Sequence, residues 1–175
     1  MDTHDKIVSA AEQLFYRHGF VATGVDRLTQ AAGMSSRTLY KHAGSKTALI
    51  TAVLAERDRR FLSAVKINSV SALFQALEDW VRVEGSRGCL FLRAYGETGG
   101  DIPEIAAAVT AHKAHLHEKI QEILAVELGG ADNSELADQI LILFEGATAA
   151  AVYRGVAAVK TGCRMAEALV EQARS

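Results

Sequence analysis

Residues 25–50 read VDRLTQAAGMSSRTLYKHAGSKTALI, and this stretch decides the fold. Val25, Leu28 and Ala32 share one helical face, and Gly33 stops that helix. Ahead of it Thr23 and Asp26 stand at capping-box spacing, with Asp in place of the usual Glu. Ser35 is a good N-cap for a second short helix over 36–42, which Leu39 would anchor to the core. Its exposed face would then carry Ser36, Arg37, Thr38, Tyr40, Lys41 and His42. Ala31 and Ala32 allow close approach, and two short helices about a tight glycine turn form a helix-turn-helix. Gly44 and Ser45 end this unit and cap a longer helix that runs from Lys46 into the fifties. Leu49, Ile50, Val53 and Leu54 are its apolar positions, and its length suits a connector.

Working outward, Ile7, Ala10, Ala11, Leu14 and Phe15 form one apolar stripe upstream. Thr3 is the expected N-cap of that first helix, Asp5 suits its positive end, and Gly19 is its stop. Downstream the periodicity predicts five more helices, over 70–84, 89–97, 103–128, 133–154 and 163–174. Glycines mark the breaks, at Gly85/Gly88, Gly99/Gly100, Gly129/Gly130 and Gly155/Gly162. The fold class is therefore all-α, with an N-terminal three-helix head carrying the helix-turn-helix and a C-terminal helical body, about nine helices in all. The expected division is 1–48 for the head and 49–175 for the body.

Composition agrees. The chain has 175 residues, enough for one domain or a small pair, and 49% hydrophobic against 23% charged residues excludes disorder of the whole. One proline, Pro103, and abundant Ala favour helices over a sandwich of strands. No apolar run is expected to reach the roughly 18–20 residues that span a bilayer. The N-terminus, MDTHDKIVSA, has no basic segment followed by an apolar one, so export is not expected. Two cysteines are too few for a disulfide framework, which points to the cytoplasm and reduced thiols. Net charge is −2, but residues 1–50 hold six Lys/Arg against four Asp/Glu, so a slightly basic head sits on an acidic body.

Enzyme signatures are missing. There is no phosphate-binding G-x-x-x-x-G-K-S/T, no G-x-G-x-x-G turn, no G-x-S-x-G elbow and no H-E-x-x-H. No cofactor is expected. His112 and His115, three apart in AHKAHLHEK, could reach one metal, but a solvated or pocket-lining face of mixed polarity is the preferred reading. Cys89 opens a helix in GSRGCLF; a small buried residue is the preferred role over a redox sensor. Phe74, Trp80, Phe91 and Tyr95 read as core residues, of which one or two could line a cavity for an apolar ligand. Over 136–151 the chain is apolar across a wider arc than one core contact needs, and with Met165, Leu169 and Val170 it could bury a second face against a partner.

The helix-turn-helix is the strongest signal. A helix that enters the major groove needs cations for phosphates and side chains that reach base edges. Arg37 can pair bidentately with guanine, and Ser36 and Thr38 are short enough for close approach. Tyr40, Lys41, His42 and Lys46 suit phosphates, Lys46 lying where a helix N-terminus favours an anion. An αα corner with a polar exposed face is the alternative on periodicity alone.

At these residues the sequence resembles the tetracycline-repressor (TetR) family of bacterial transcription regulators. The resemblance covers about residues 6–54 and is most specific in AAGMSSRTLYKHAGSKTALI, where Leu39, Tyr40, His42, Ser45, Lys46 and Leu49 stand in register. Ala43 departs from it, since the family usually has Phe there; Phe20 or Met34 is expected to fill the space. The resemblance implies a homodimer built on the last two helices, a palindromic DNA operator as partner, a small-molecule effector bound in the body, and no membrane. Candidate DNA-binding residues are Thr23, Arg27, Ser35, Ser36, Arg37, Thr38, Tyr40, Lys41, His42 and Lys46. Candidate effector-pocket residues are Trp80, Cys89, Phe91, Tyr95, His112 and His115. Candidate dimer residues are Leu136, Ile140, Leu143, Phe144, Ala147, Ala151, Met165 and Leu169. The expected function is a ligand-responsive repressor; the alternative is a helical ligand- or metal-binding protein that no longer reads DNA.

Overall fold

A computed structural model describes residues 2–64, 68–130 and 133–174. Among them there are nine α-helices and no strand: α1 (Thr3–His18), α2 (Val25–Ala32), α3 (Ser36–Ala43), α4 (Lys46–Ala64), α5 (Val70–Glu84), α6 (Leu90–Thr98), α7 (Pro103–Leu128), α8 (Ser134–Arg154) and α9 (Val156–Arg174).

The starts of the first helices correct two expected caps. Asp2, not Thr3, caps α1, in a reciprocal box in which the Asp2 carboxylate accepts from the Asp5 amide and the Asp5 carboxylate from the Asp2 amide. No Thr23–Asp26 box forms. Gly24 precedes α2 without a side-chain cap, and the buried Thr23 hydroxyl donates to the Gly19 carbonyl at 2.6 Å. The turn between α2 and α3 follows the expectation closely. Gly33 is left-handed at φ 66°, and the Gly33 and Met34 amides donate to the Gln30 and Thr29 carbonyls, the double closure that only a residue tolerating positive φ makes cheap.

The ninth helix is longer than expected. Gly155 ends α8, but Gly162 lies buried inside α9 and interrupts nothing. A Cβ there would stand 3.0 Å from both the Ala147 Cβ and the Phe74 ring, so this glycine permits close packing and is no breaker.

The described residues form two compact units, Met1–Arg60 with Leu90–His112, and Phe61–Cys89 with Lys113–Ser175. The first has a core of Ile7, Phe15, Phe20, Leu28, Leu39, Leu49, Val53 and Leu54, to which Leu90, Phe91, Ala94 and Ile105 belong as well. Phe20, expected near the gap left by Ala43, stacks on Phe15 at 4.8 Å; Met34, the other candidate, is half-buried. Glu12 accepts from both Arg57 and Arg60, a charged tie between α1 and α4 in which each ion is hydrogen-bonded. The second unit packs α5, α8 and α9 around Leu73, Phe74, Ile140, Phe144 and Val170, with Phe61 and Phe74 edge-on to Phe144.

α8 also corrects an expectation. By length and composition it is apolar enough to cross a membrane, with mean hydropathy 1.3 over its best window. Yet Glu135, Asp138 and Glu145 lie on it, and five of its residues sit in the core of its unit.

Candidate nucleic-acid interface

α3 is set by its ends and one anchor. Ser35 caps it, its Oγ accepting from the Thr38 amide at 3.2 Å and lying 3.0 Å from the Thr38 hydroxyl. Leu39 is 2% exposed and turns one face inward. Ser35, Ser36, Arg37, Tyr40, Lys41 and His42 are therefore all exposed, and Thr38 is half-buried. Arg27 is exposed on α2, and Lys46 is half-buried in the first turn of α4, where the Ser45 hydroxyl accepts from the Ala48 amide. Thr23 differs from the rest: buried and committed to Gly19, it braces the connection between α1 and α2 and presents no hydroxyl to solvent.

The electrostatics separate this surface from the rest of its helices. Among the described residues Arg27, Arg37, Lys41 and Lys46 have no ion-pair partner, whereas Arg57, Arg59 and Arg60 further along α4 are all paired with Glu12 or Glu56. Cations held on an exposed helix without partners are available to a polyanion.

Residues 7–53 match the family described as bacterial regulatory proteins, tetR family. Over nearly the whole chain, the fold superposes on a TetR-family transcriptional regulator from Streptomyces coelicolor with TM-score 0.89 and 26% identity, covering 99% of this chain and 96% of that one. Residues 7–53 belong to the tetR family. Among curated relatives, the HTH-type transcriptional repressor AcnR of Corynebacterium efficiens is 28% identical over 126 residues, 71% of this chain and 65% of that protein. The HTH-type transcriptional regulator TcmR of Streptomyces glaucescens is 27% identical over 101 residues, 51% of this chain and 45% of that protein. The chain thus spans less than two thirds of the curated relatives it matches.

The tetR-family match ends at residue 53, and beyond it the residues expected to form an effector pocket are scattered. In the first unit, Phe91 and His112 meet face to face, while Tyr95 is exposed beside Gly100. In the second, Trp80 packs edge-on against Phe61, and the half-buried Cys89 lies 3.4 Å from Lys113 Nζ. His112 is buried with Nδ1 2.7 Å from Asp58, but His115 is exposed, so the two do not converge. Among the described residues no group of three or more His, Cys, Asp or Glu is placed to hold a metal. A groove of about 700 Å³ between α1 and α4 is bordered by His4, Val8, Glu12, Ala52 and Arg59, and by none of the six expected pocket residues.

The expected dimer residues divide sharply. Ile140, Phe144, Ala147 and Ala151 are buried in the core of their own unit, as the wide apolar arc of α8 allows. Leu136, Leu143 and Leu169 are half-buried, and Met165 is 54% exposed. Sequence reasoning missed the outward apolar residues of α8, Ile142 at 70% and Tyr153 at 77% exposed. It also missed Arg93 and Glu97, whose partners lie 76–77 residues away with no local signature.

Proposed function

We propose that this tetR-family protein is a ligand-responsive repressor that binds a palindromic DNA operator as a homodimer. The observation that carries the reading is the exposed face of α3, with Arg37 and Lys41 unpaired among the described residues on a helix seated by Leu39. Arg37 with Ser36 and Thr38 would read bases; Tyr40, Lys41, His42 and Lys46 would hold phosphates, and Arg27 either. Ser35 serves that surface as its cap. The division proposed is a DNA-binding head over 1–48 and an effector-binding and dimerising body over 49–175, working in the cytoplasm and without catalytic chemistry.

Dimerisation is supported by the outward face of α8, where Ile142, Gly146, Ala149 and Tyr153 recur at helical spacing and are all exposed. Exposed Ala157, Thr161, Met165 and Ala168 continue this pattern along α9. A two-fold interface places two α3 helices at half-sites one or more helical turns apart. A small-molecule effector would act by favouring a dimer geometry whose heads no longer match adjacent grooves, which requires different affinity for the two conformations.

Selection from a pool of random duplexes at moderate salt tests the reading. An enriched inverted repeat bound by a dimer is the expected result; recovery of no preferred sequence overturns it.

A further inference from the structure

Hydrogen bonds tie α6 to the connection between α1 and α2. The amides of Phe20 and Val21 both donate to Glu97 Oε2, at 2.6 and 2.9 Å. Arg93 Nη1 donates to the Tyr16 carbonyl at 3.0 Å, near the C-terminus of α1, where helix carbonyls lack internal partners. Arg93 Nε donates to Glu97 Oε1 at 2.7 Å and closes the clamp.

The clamp occupies the place of a side chain. Gly19 has φ +90°, and a Cβ built on it would stand 2.5 Å from Glu97 Oε1 and 2.9 Å from the Arg93 guanidinium. Phe20 is 1% exposed, so its amide is removed from water and needs the carboxylate as acceptor. From within, the Phe20 ring stacks on Phe15 and the Thr23 hydroxyl holds the Gly19 carbonyl. The connection is therefore gripped from both sides immediately before α2 begins. α2 has only eight residues and no side-chain cap, too short to hold its own geometry without tertiary support. Burial pushes the Glu97 carboxyl up, but the Val21 amide, the Arg93 guanidinium and the Phe20 amide outweigh it and hold the group below its ordinary value, hence charged at neutral pH.

We propose that Arg93 and Glu97 are positioning residues for DNA reading: α6 clamps the α1–α2 connection, so the stretch that matches the family, 7–53, is not a self-sufficient reading head. The inference rests on the DNA-binding reading above. Neither side chain needs to touch DNA; both act through the backbone from which α2 and then α3 start.

The test uses the full chain, with a duplex selected on the wild type and a scrambled duplex of equal length. Glu97→Ala and Glu97→Gln are compared by fluorescence anisotropy on both duplexes, by thermal melting, and by hydrogen exchange of the 19–24 amides. Glu97→Ala should bind the selected duplex roughly tenfold or more weakly, since two charge-assisted hydrogen bonds are lost. It should bind the scrambled duplex within about twofold of wild type, because that contact is electrostatic and tolerant of orientation. The Phe20 and Val21 amides should exchange faster, and Glu97→Gln, which keeps one acceptor oxygen, should fall between. A selected-to-scrambled ratio unchanged in Glu97→Ala, or amides that stay as protected as in wild type, overturns the inference. If Glu97→Ala does not fold, Glu97→Gln carries the same comparison. If the wild type selects no duplex, it is the DNA reading that fails, and hydrogen exchange alone then decides whether the clamp holds the connection.

Discussion

The imidazole of His112 lies flat on the ring of Phe91, with centroids 3.6 Å apart and planes 7° from parallel. Its Nδ1 stands 2.7 Å from Asp58, so one side chain of α7 touches both α6 and α4. His112→Ala removes the stack and the polar contact together and should cost about 2–4 kcal/mol in urea unfolding. His112→Phe keeps the aromatic contact and should recover part of that loss. A loss below about 0.5 kcal/mol in the Ala variant would show that the stacked ring holds nothing.

The outward face of α8 makes a prediction that separates interface from core. Ile142 is 70% exposed and Ile140 is fully buried, two residues apart on one helix. Ile142→Asp should leave the helical content at 25 °C unchanged and convert a dimer to a monomer in sedimentation velocity. Ile140→Asp should unfold the chain, since an unpaired carboxylate in an apolar core costs several kcal/mol. An Ile142→Asp protein that still sediments as a dimer places the interface elsewhere.

Much of this fold was legible because helix ends carry local chemistry. Ser35, Ser45 and the stops at Gly19, Gly33 and Gly85 mark their boundaries in the sequence, and α7 runs over the residues its periodicity predicts. Gly162 misled because a glycine that breaks a helix and one that lets two helices touch look alike in sequence; only the Ala147 and Phe74 contacts tell them apart. The inward face of α8 was hard to read for a related reason. Where a helix is apolar around most of its circumference, as α8 is, periodicity cannot say which apolar residues face inward. His112 and His115 share a face by spacing, yet the boundary between core and solvent passes between them. The exposed face of α3 was legible from its periodicity, with only Thr38 drawn half inward, whereas the Arg93–Glu97 clamp joins positions about 77 apart and leaves no periodic trace.

The clamp also sets a pH dependence. Glu97 is held below its ordinary value of 4.5, so its contribution is fully present above that pH and is lost as pH falls through the lower folded value. Acid titration of the wild type should therefore show a loss of protection at the Phe20 and Val21 amides beginning below about pH 4.5. Glu97→Gln carries no titrating carboxyl and should lose that component while keeping the remaining acid transition. The comparison is a difference between two exchange profiles, so general acid unfolding cancels; identical profiles would remove Glu97 from the account.

Arg37 and Lys46 differ in what they offer DNA, and their variants should differ in kind. Arg37 is exposed on α3, has no ion-pair partner among the described residues, and carries the two-pronged guanidinium that matches guanine in the major groove. Lys46 is half-buried in the first turn of α4, off the face of α3, and is proposed to hold a phosphate. Arg37→Ala should cost about 1–3 kcal/mol on the selected duplex and flatten preference at one base-pair position in each half-site. Lys46→Ala should weaken selected and scrambled duplexes alike and reduce the slope of log affinity against log salt by about one per site. Equal losses on both duplexes for both variants would mean that α3 does not read bases, and the recognition surface would have to be sought on another element.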